Sequence, residues 1–152
     1  MNYFESINPT NGKIIKEYLA LSEDELNEIL LKTDKRFDSW KKNSVDERST
    51  YFIEIAEIID QKKNELSVLL ASEMGKPIMQ GKAEIEKCAL LCRYYANNAS
   101  LFLKDDIIET EASKSYATFQ PLGIILGIMP WNFPFWQVFR FAVPTMISGN
   151  TV

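Results

Sequence analysis

The chain has 152 residues, of which 46% are hydrophobic and 25% charged, with a net charge of −4 and no histidine. That make-up suits an ordinary globular unit and offers no basic footprint for nucleic acid. Without histidine, no Ser-His-Asp or Cys-His arrangement and no His-based metal site can be assembled within it. The first residues lack a basic region followed by an apolar core, so no secretory leader is expected. No apolar run reaches the ~18 residues of a bilayer span. Phe133 to Ile147 is the nearest candidate; it is shorter and carries Arg140. A cytoplasmic protein without membrane or nucleic-acid partners is the expectation.

Residues 3–21 read as a hairpin, with the turn formers Asn8-Pro9 and Asn11-Gly12 ahead of Ile14, Ile15, Tyr18 and Leu19. Ser22-Glu-Asp-Glu25 and Ser44-Val-Asp-Glu47 are capping boxes, each predicting a helix start. The first helix carries Leu26, Ile29, Leu30, Phe37 and Trp40 on one stripe; the second carries Phe52, Ile55, Ala56 and Ile59. Leu66, Leu69, Leu70 and Met74 mark a third helix, stopped by Gly75 with Pro77 just beyond. A fourth runs from about Pro77 to Leu103 with Ile85, Cys88, Ala89, Cys92 and Tyr95. These stripes are expected to form the core. Cys88 and Cys92, four apart on a helix, are too far apart for an unstrained disulfide and are expected to be packing residues.

Between Asp105 and Gln120 the pattern changes to one or two short exposed strands, around Ile107-Ile108 and Tyr116–Phe119. Gly123–Met129 is then an apolar run bounded by Gly and Pro130, which predicts a strand covered on both faces. The strand delivers Trp131 and Asn132 at its carboxyl end, where open α/β sheets place ligand contacts. A helix follows with Pro134 as its natural first position, and Gly149 as its stop. Asn150-Thr-Val152 predicts entry into a further strand. On residue types alone, Asn132 is a turn or helix-start asparagine, and Arg140 a surface arginine whose stem covers apolar neighbours.

Pro121-Leu-Gly, Ile128-Met-Pro-Trp-Asn-Phe-Pro134, Pro144 and Gly149-Asn-Thr-Val152 together resemble the aldehyde dehydrogenase superfamily. Glu73-Met-Gly-Lys-Pro77 and Ser6-Ile-Asn-Pro with Gly12 match it as well, so the likeness spans essentially the whole chain. Within the superfamily, Met74–Ile78, Leu91–Tyr95 and Met129–Gln137 are most similar to a bacterial succinate-semialdehyde dehydrogenase branch. The resemblance implies an α/β fold: an amino-terminal helical part, then the first strand-turn-helix of an incomplete Rossmann-like NAD(P)-binding domain. It divides the chain into 1–104, hairpin and helices of the cofactor-binding domain; 105–120, an extended arm; and 121–152, the start of the Rossmann-like core.

The implied reaction is NAD(P)-dependent oxidation of an aldehyde, succinate semialdehyde to succinate in this branch, through a thioester on a cysteine. By the same resemblance Asn132 donates to the developing oxyanion, and Ile128, Met129, Pro130, Trp131 and Asn132 contact NAD or NADP. Phe133 and Gln137 line the substrate tunnel, and Arg140 holds the distal carboxylate. A guanidinium suits that task through its bidentate fork and permanent charge. The partners implied are a small aldehyde and, for the full-length protein, further copies of itself. The family's nucleophilic cysteine, general-base glutamate, cofactor glycines and adenosine-contacting lysine are all expected beyond Val152. The 152 residues alone are therefore expected to be inactive, the alternative being a non-catalytic truncated gene product or interaction module. The residues that separate NAD from NADP are expected there too.

Overall fold

A computed structural model describes residues 3–152. β1 (Tyr3–Ile7) and β2 (Ile14–Leu19) form an antiparallel hairpin, with Tyr3 opposite Leu19 and a bulge at Ser6/Ile7. Four helices follow: α1 (Glu23–Trp40), α2 (Val45–Gln61), α3 (Lys63–Met74) and α4 (Ile78–Phe102). β3 (Asp106–Ile107) and β4 (Tyr116–Ala117) pair antiparallel as a two-residue ribbon, and α5 (Pro134–Ile147) comes last. No helix among the described residues is long and apolar enough to cross a membrane.

Local chemistry accounts for most of these boundaries. Ser22 and Ser44 each accept from the backbone N–H three residues on, while Glu25 and Glu47 reach back to the serine N–H. Both capping boxes form as expected. Gly75 ends α3 with φ 67°, a left-handed conformation that glycine adopts without a Cβ penalty. Pro134 opens α5 at its first turn, where its missing N–H is not needed.

α4 is the central element, packing on α2, α3 and α5. The core joins Phe52, Ala56 and Ile59 of α2 to Ile85, Ala89 and Cys92 of α4 and to Val143 and Ile147 of α5. Gly81 lets α4 approach α3 closely, since a Cβ there would stand 3.2 Å from that of Ser67.

Two expectations are corrected. The α1 stripe is not core: Trp40 is buried and Phe37 half-buried, but Leu26, Ile29 and Leu30 are exposed. Nor is Gly123–Met129 a strand covered on both faces. Its one ladder contact is an isolated parallel bridge between Ile124 and Thr151, and Leu126 and Ile128 are 82% and 87% exposed. An apolar run becomes a buried strand only where neighbouring strands and helices cover it. Here α5 lies against the segment, close enough that a Cβ on Gly127 would overlap the Phe141 ring. The predicted strand entry at Asn150–Val152 is met by that same bridge.

Candidate functional site

Asn132 lies in the turn between the extended segment and α5, one residue before the helix cap. The cap residue is Phe133, with φ −138° and ψ 70°, and no side chain of its own closes the helix start. That work is done from another helix. The Glu84 carboxylate, on α4, accepts hydrogen bonds from the backbone N–H of Phe135 and of Trp136, both at 3.0 Å. A carboxylate there satisfies orphan donors and faces the positive end of the helix dipole. Asn132, one residue outside the cap, takes no part in closing the helix start. Its residue is exposed, and among the described residues no hydrogen bond engages its carboxamide.

Glu84 is itself paired with Lys76, the side chains being 1% and 6% exposed. The Lys76 ammonium also lies 3.5 Å from the Asn132 carbonyl oxygen and 3.8 Å from the centre of the Phe133 ring. Lys76 stands between left-handed Gly75 and Pro77, the cap residue of α4 (φ −54°), so its backbone is fixed by both neighbours. The residues around Asn132 are thus held by one buried ion pair.

The outer side of the turn opens on a cleft of about 460 Å³ lined by Asn132, Phe133, Trp136 and Gln137 with Ala83 and Lys87 of α4. Lys87 places its ammonium 3.8 Å from the centre of the Trp136 ring, a cation–π distance. Of the predicted site residues, the structure therefore brings Asn132, Phe133 and Gln137 together. Trp131 faces a different hollow, with Leu70, Met74 and Phe135, and is 79% exposed. Met129 lies in a third, between α1 and α5, while Ile128 and Arg140 are exposed and line none of these three. Pro130 is exposed at the start of the turn.

Cys88 and Cys92 are fully buried in the helical core. Burial pushes both thiols up to about 12, and the nearby Glu84 charge adds to the rise at Cys88. A thiol so raised is almost wholly protonated near neutrality and is no nucleophile. This agrees with their reading as packing residues.

Lys76, Glu84 and Lys87 were not among the predicted site residues. The visible signal was Glu84's place on the apolar stripe of α4, four residues before Cys88, since a lone carboxylate in such a stripe asks for a buried partner.

The family model described as "Aldehyde dehydrogenase family" matches residues 1–152. The chain is similar to the probable NADP(+) succinate-semialdehyde dehydrogenase of Synechocystis sp., at 43% identity over 145 residues, covering 95% of this chain and 32% of that one. It is 37% identical over 148 residues to succinate-semialdehyde dehydrogenase [NADP(+)] 1 of Mycobacterium tuberculosis, with the same coverage of 95% and 32%. Among solved structures, succinic semialdehyde dehydrogenase of Streptococcus pyogenes, in complex with NADP+, superposes with a TM-score of 0.91. That match has 27% identity and covers 97% of this chain and 32% of that one. The chain thus spans about a third of the length of these relatives. Its helices, followed by an extended segment, a turn and α5, match the amino-terminal third of their α/β fold. The chain belongs to the aldehyde dehydrogenase family.

Proposed function

We propose that these residues form the oxyanion-donating and cofactor-contacting part of a cytoplasmic, homo-oligomeric NAD(P)-dependent dehydrogenase that oxidises succinate semialdehyde to succinate. The observation that carries the reading is the unengaged Asn132 carboxamide lining a cleft, beside a helix start that Glu84 closes. A preorganised N–H donor aimed where negative charge develops lowers the barrier without reorganising during the reaction. The names of the relatives support the substrate and the cofactor.

NAD(P)+, when bound, supplies the hydride acceptor. The residues proposed to contact it are Ile128, Met129, Pro130, Trp131 and Asn132, of which Ile128 and Trp131 leave apolar side chains exposed for a flat ring. Phe133 and Gln137 are proposed to flank the aldehyde. Two cations are available for its far carboxylate, Arg140 and, in the cleft itself, Lys87. Replacing either by methionine is expected to raise KM for succinate semialdehyde several-fold and leave KM for butanal unchanged. A parallel rise for both aldehydes would remove that cation from the scheme. The segments 1–104, 105–120 and 121–152 are proposed as helical scaffold, arm and core of one cofactor-binding unit.

The deciding experiment is Asn132→Ala in the complete protein carrying this chain. Losing one oxyanion donor is expected to lower kcat about 100- to 1,000-fold with little change in KM. A kcat within threefold of the parent would refute the assignment. Residues 1–152 by themselves are expected to give no NAD(P)H absorbance with succinate semialdehyde, because they contain no reactive thiol. The alternative, an interaction module without catalysis, draws on the exposed Leu122, Leu126 and Ile128. Reading the gene past codon 152 for a cysteine-bearing continuation separates the two.

A further inference from the structure

Lys76 and Glu84 contribute no atom to the chemistry proposed above, yet both are almost fully removed from water. Taking two full charges into the interior is unfavourable unless good geometry and further hydrogen bonds offset it. Here every further contact goes to one short stretch. Lys76 reaches the carbonyl of Asn132 and the ring of Phe133; Glu84 reaches the amides of Phe135 and Trp136. The contacts begin at the asparagine's own carbonyl and run on into the first turn of α5. Lys76 lies just before α4 and Glu84 on it, and α4 packs on α2, α3 and α5, so the pair is anchored to the central helix of the core.

We propose that Lys76 and Glu84 are positioning residues, a buried ion pair that fixes the Asn132 peptide so that its carboxamide points into the cleft. This rests on the oxyanion reading of Asn132 and extends it to the residues that hold the donor in place. The competing account is that the pair stabilises α4 against α5 and has no bearing on the reaction.

A double-mutant cycle in the complete enzyme separates these, using kcat with succinate semialdehyde at saturating NADP+. Small displacements of a reacting group cost rate steeply, so Lys76→Met is expected to lower kcat about tenfold while KM for NADP+ stays within about twofold. In the Asn132→Ala background there is no carboxamide left to aim, and the same change is expected to lower kcat by less than about twofold, a non-additivity that marks coupled residues. A structural role alone would give the full loss in both backgrounds. That result overturns the proposal, as does a Lys76→Met enzyme with unchanged kcat. If Lys76→Met leaves too little soluble protein, the pair Lys76→Met/Glu84→Gln carries the same cycle. It removes both charges and keeps a side-chain oxygen for the Phe135 and Trp136 amides. The outcomes are distinguishable: Asn132→Ala with full activity refutes the oxyanion reading and this inference with it. Asn132→Ala slow but additive with Lys76→Met refutes the pair's role alone.

Discussion

The two ends of α5 are closed by different means: both draw on side chains from other helices, and the carboxyl end is also capped locally by Ser148, Gly149 and Asn150. At the amino end the Glu84 carboxylate takes two amides, and its charge is matched by Lys76. At the carboxyl end Arg48 donates from Nε to the Ile147 carbonyl at 2.7 Å and also bonds the Asn43 carbonyl, while the Trp40 indole donates to Met146 at 2.9 Å. Each charge has the sign the helix dipole favours. The amino end uses a neutralised pair; the carboxyl end uses a buried cation whose hydrogen bonds go to carbonyl dipoles alone. Burial holds the Arg48 pKa below its ordinary value. The end beside the proposed chemistry is therefore the one whose field is balanced, and the scaffold end carries a net charge. Balance matters more beside a reaction that develops negative charge, because an unpaired anion there would oppose it.

Removing one partner from each end tests how far this asymmetry goes. Glu84→Ala strands a buried ammonium and two amides, and is expected to cost about 3–5 kcal/mol in a denaturant titration of the protein carrying this chain. Arg48→Met leaves buried carbonyls without donors but no orphaned opposite charge, so about 2 kcal/mol is expected from the same measurement. Equal losses would mean that charge balance plays no part in the difference. The smallest effect belongs to helices that cap themselves. Glu25 and Glu47 lie below their ordinary value of 4.5, held down first by the backbone N–H of Ser22 and Ser44 and then by the serine hydroxyls. A depressed carboxyl stabilises the fold above the unfolded value and loses that contribution as pH falls through the folded one. The Ser22 and Ser44 amide resonances are expected to move toward unbonded positions as the pH drops below 4.5. Amides that hold their positions down to pH 2 would contradict it.

The elements that were legible in the amino-acid sequence are those whose determinants lie within four residues of each other. Both capping boxes, the Gly75 stop, the Pro134 start and the Asn8–Gly12 hairpin turn are of this kind. Asn132, Phe133 and Gln137 were legible as a group because a turn and one helical repeat place them together. What escaped was set by distant partners. Glu84 and the amides it caps are 51 and 52 positions apart, and no local pattern connects them. Burial escaped for the same reason. Leu26, Ile29 and Leu30 have the spacing of a core stripe, but spacing states only which residues share a face, and the packing of other elements decides whether it is covered. The division into 1–104, 105–120 and 121–152 came from the family resemblance and from no local pattern of residues.

Asn150 ties together the two ends of the last thirty residues. Its carboxamide oxygen accepts from the Leu122 and Gly123 amides at 2.7 and 3.1 Å, while its nitrogen reaches the Thr145 carbonyl and the Ser148 hydroxyl. Beside it, Thr151 and the Gly123–Ile125 backbone exchange two hydrogen bonds of 3.0 and 2.8 Å. A one-residue slip between parallel neighbours would turn every side chain to the opposite face, and this clamp forbids it. The alignment of the Gly123–Ile125 backbone against Thr151 is therefore set twice over, by the bridge itself and by the Asn150 side chain beside it.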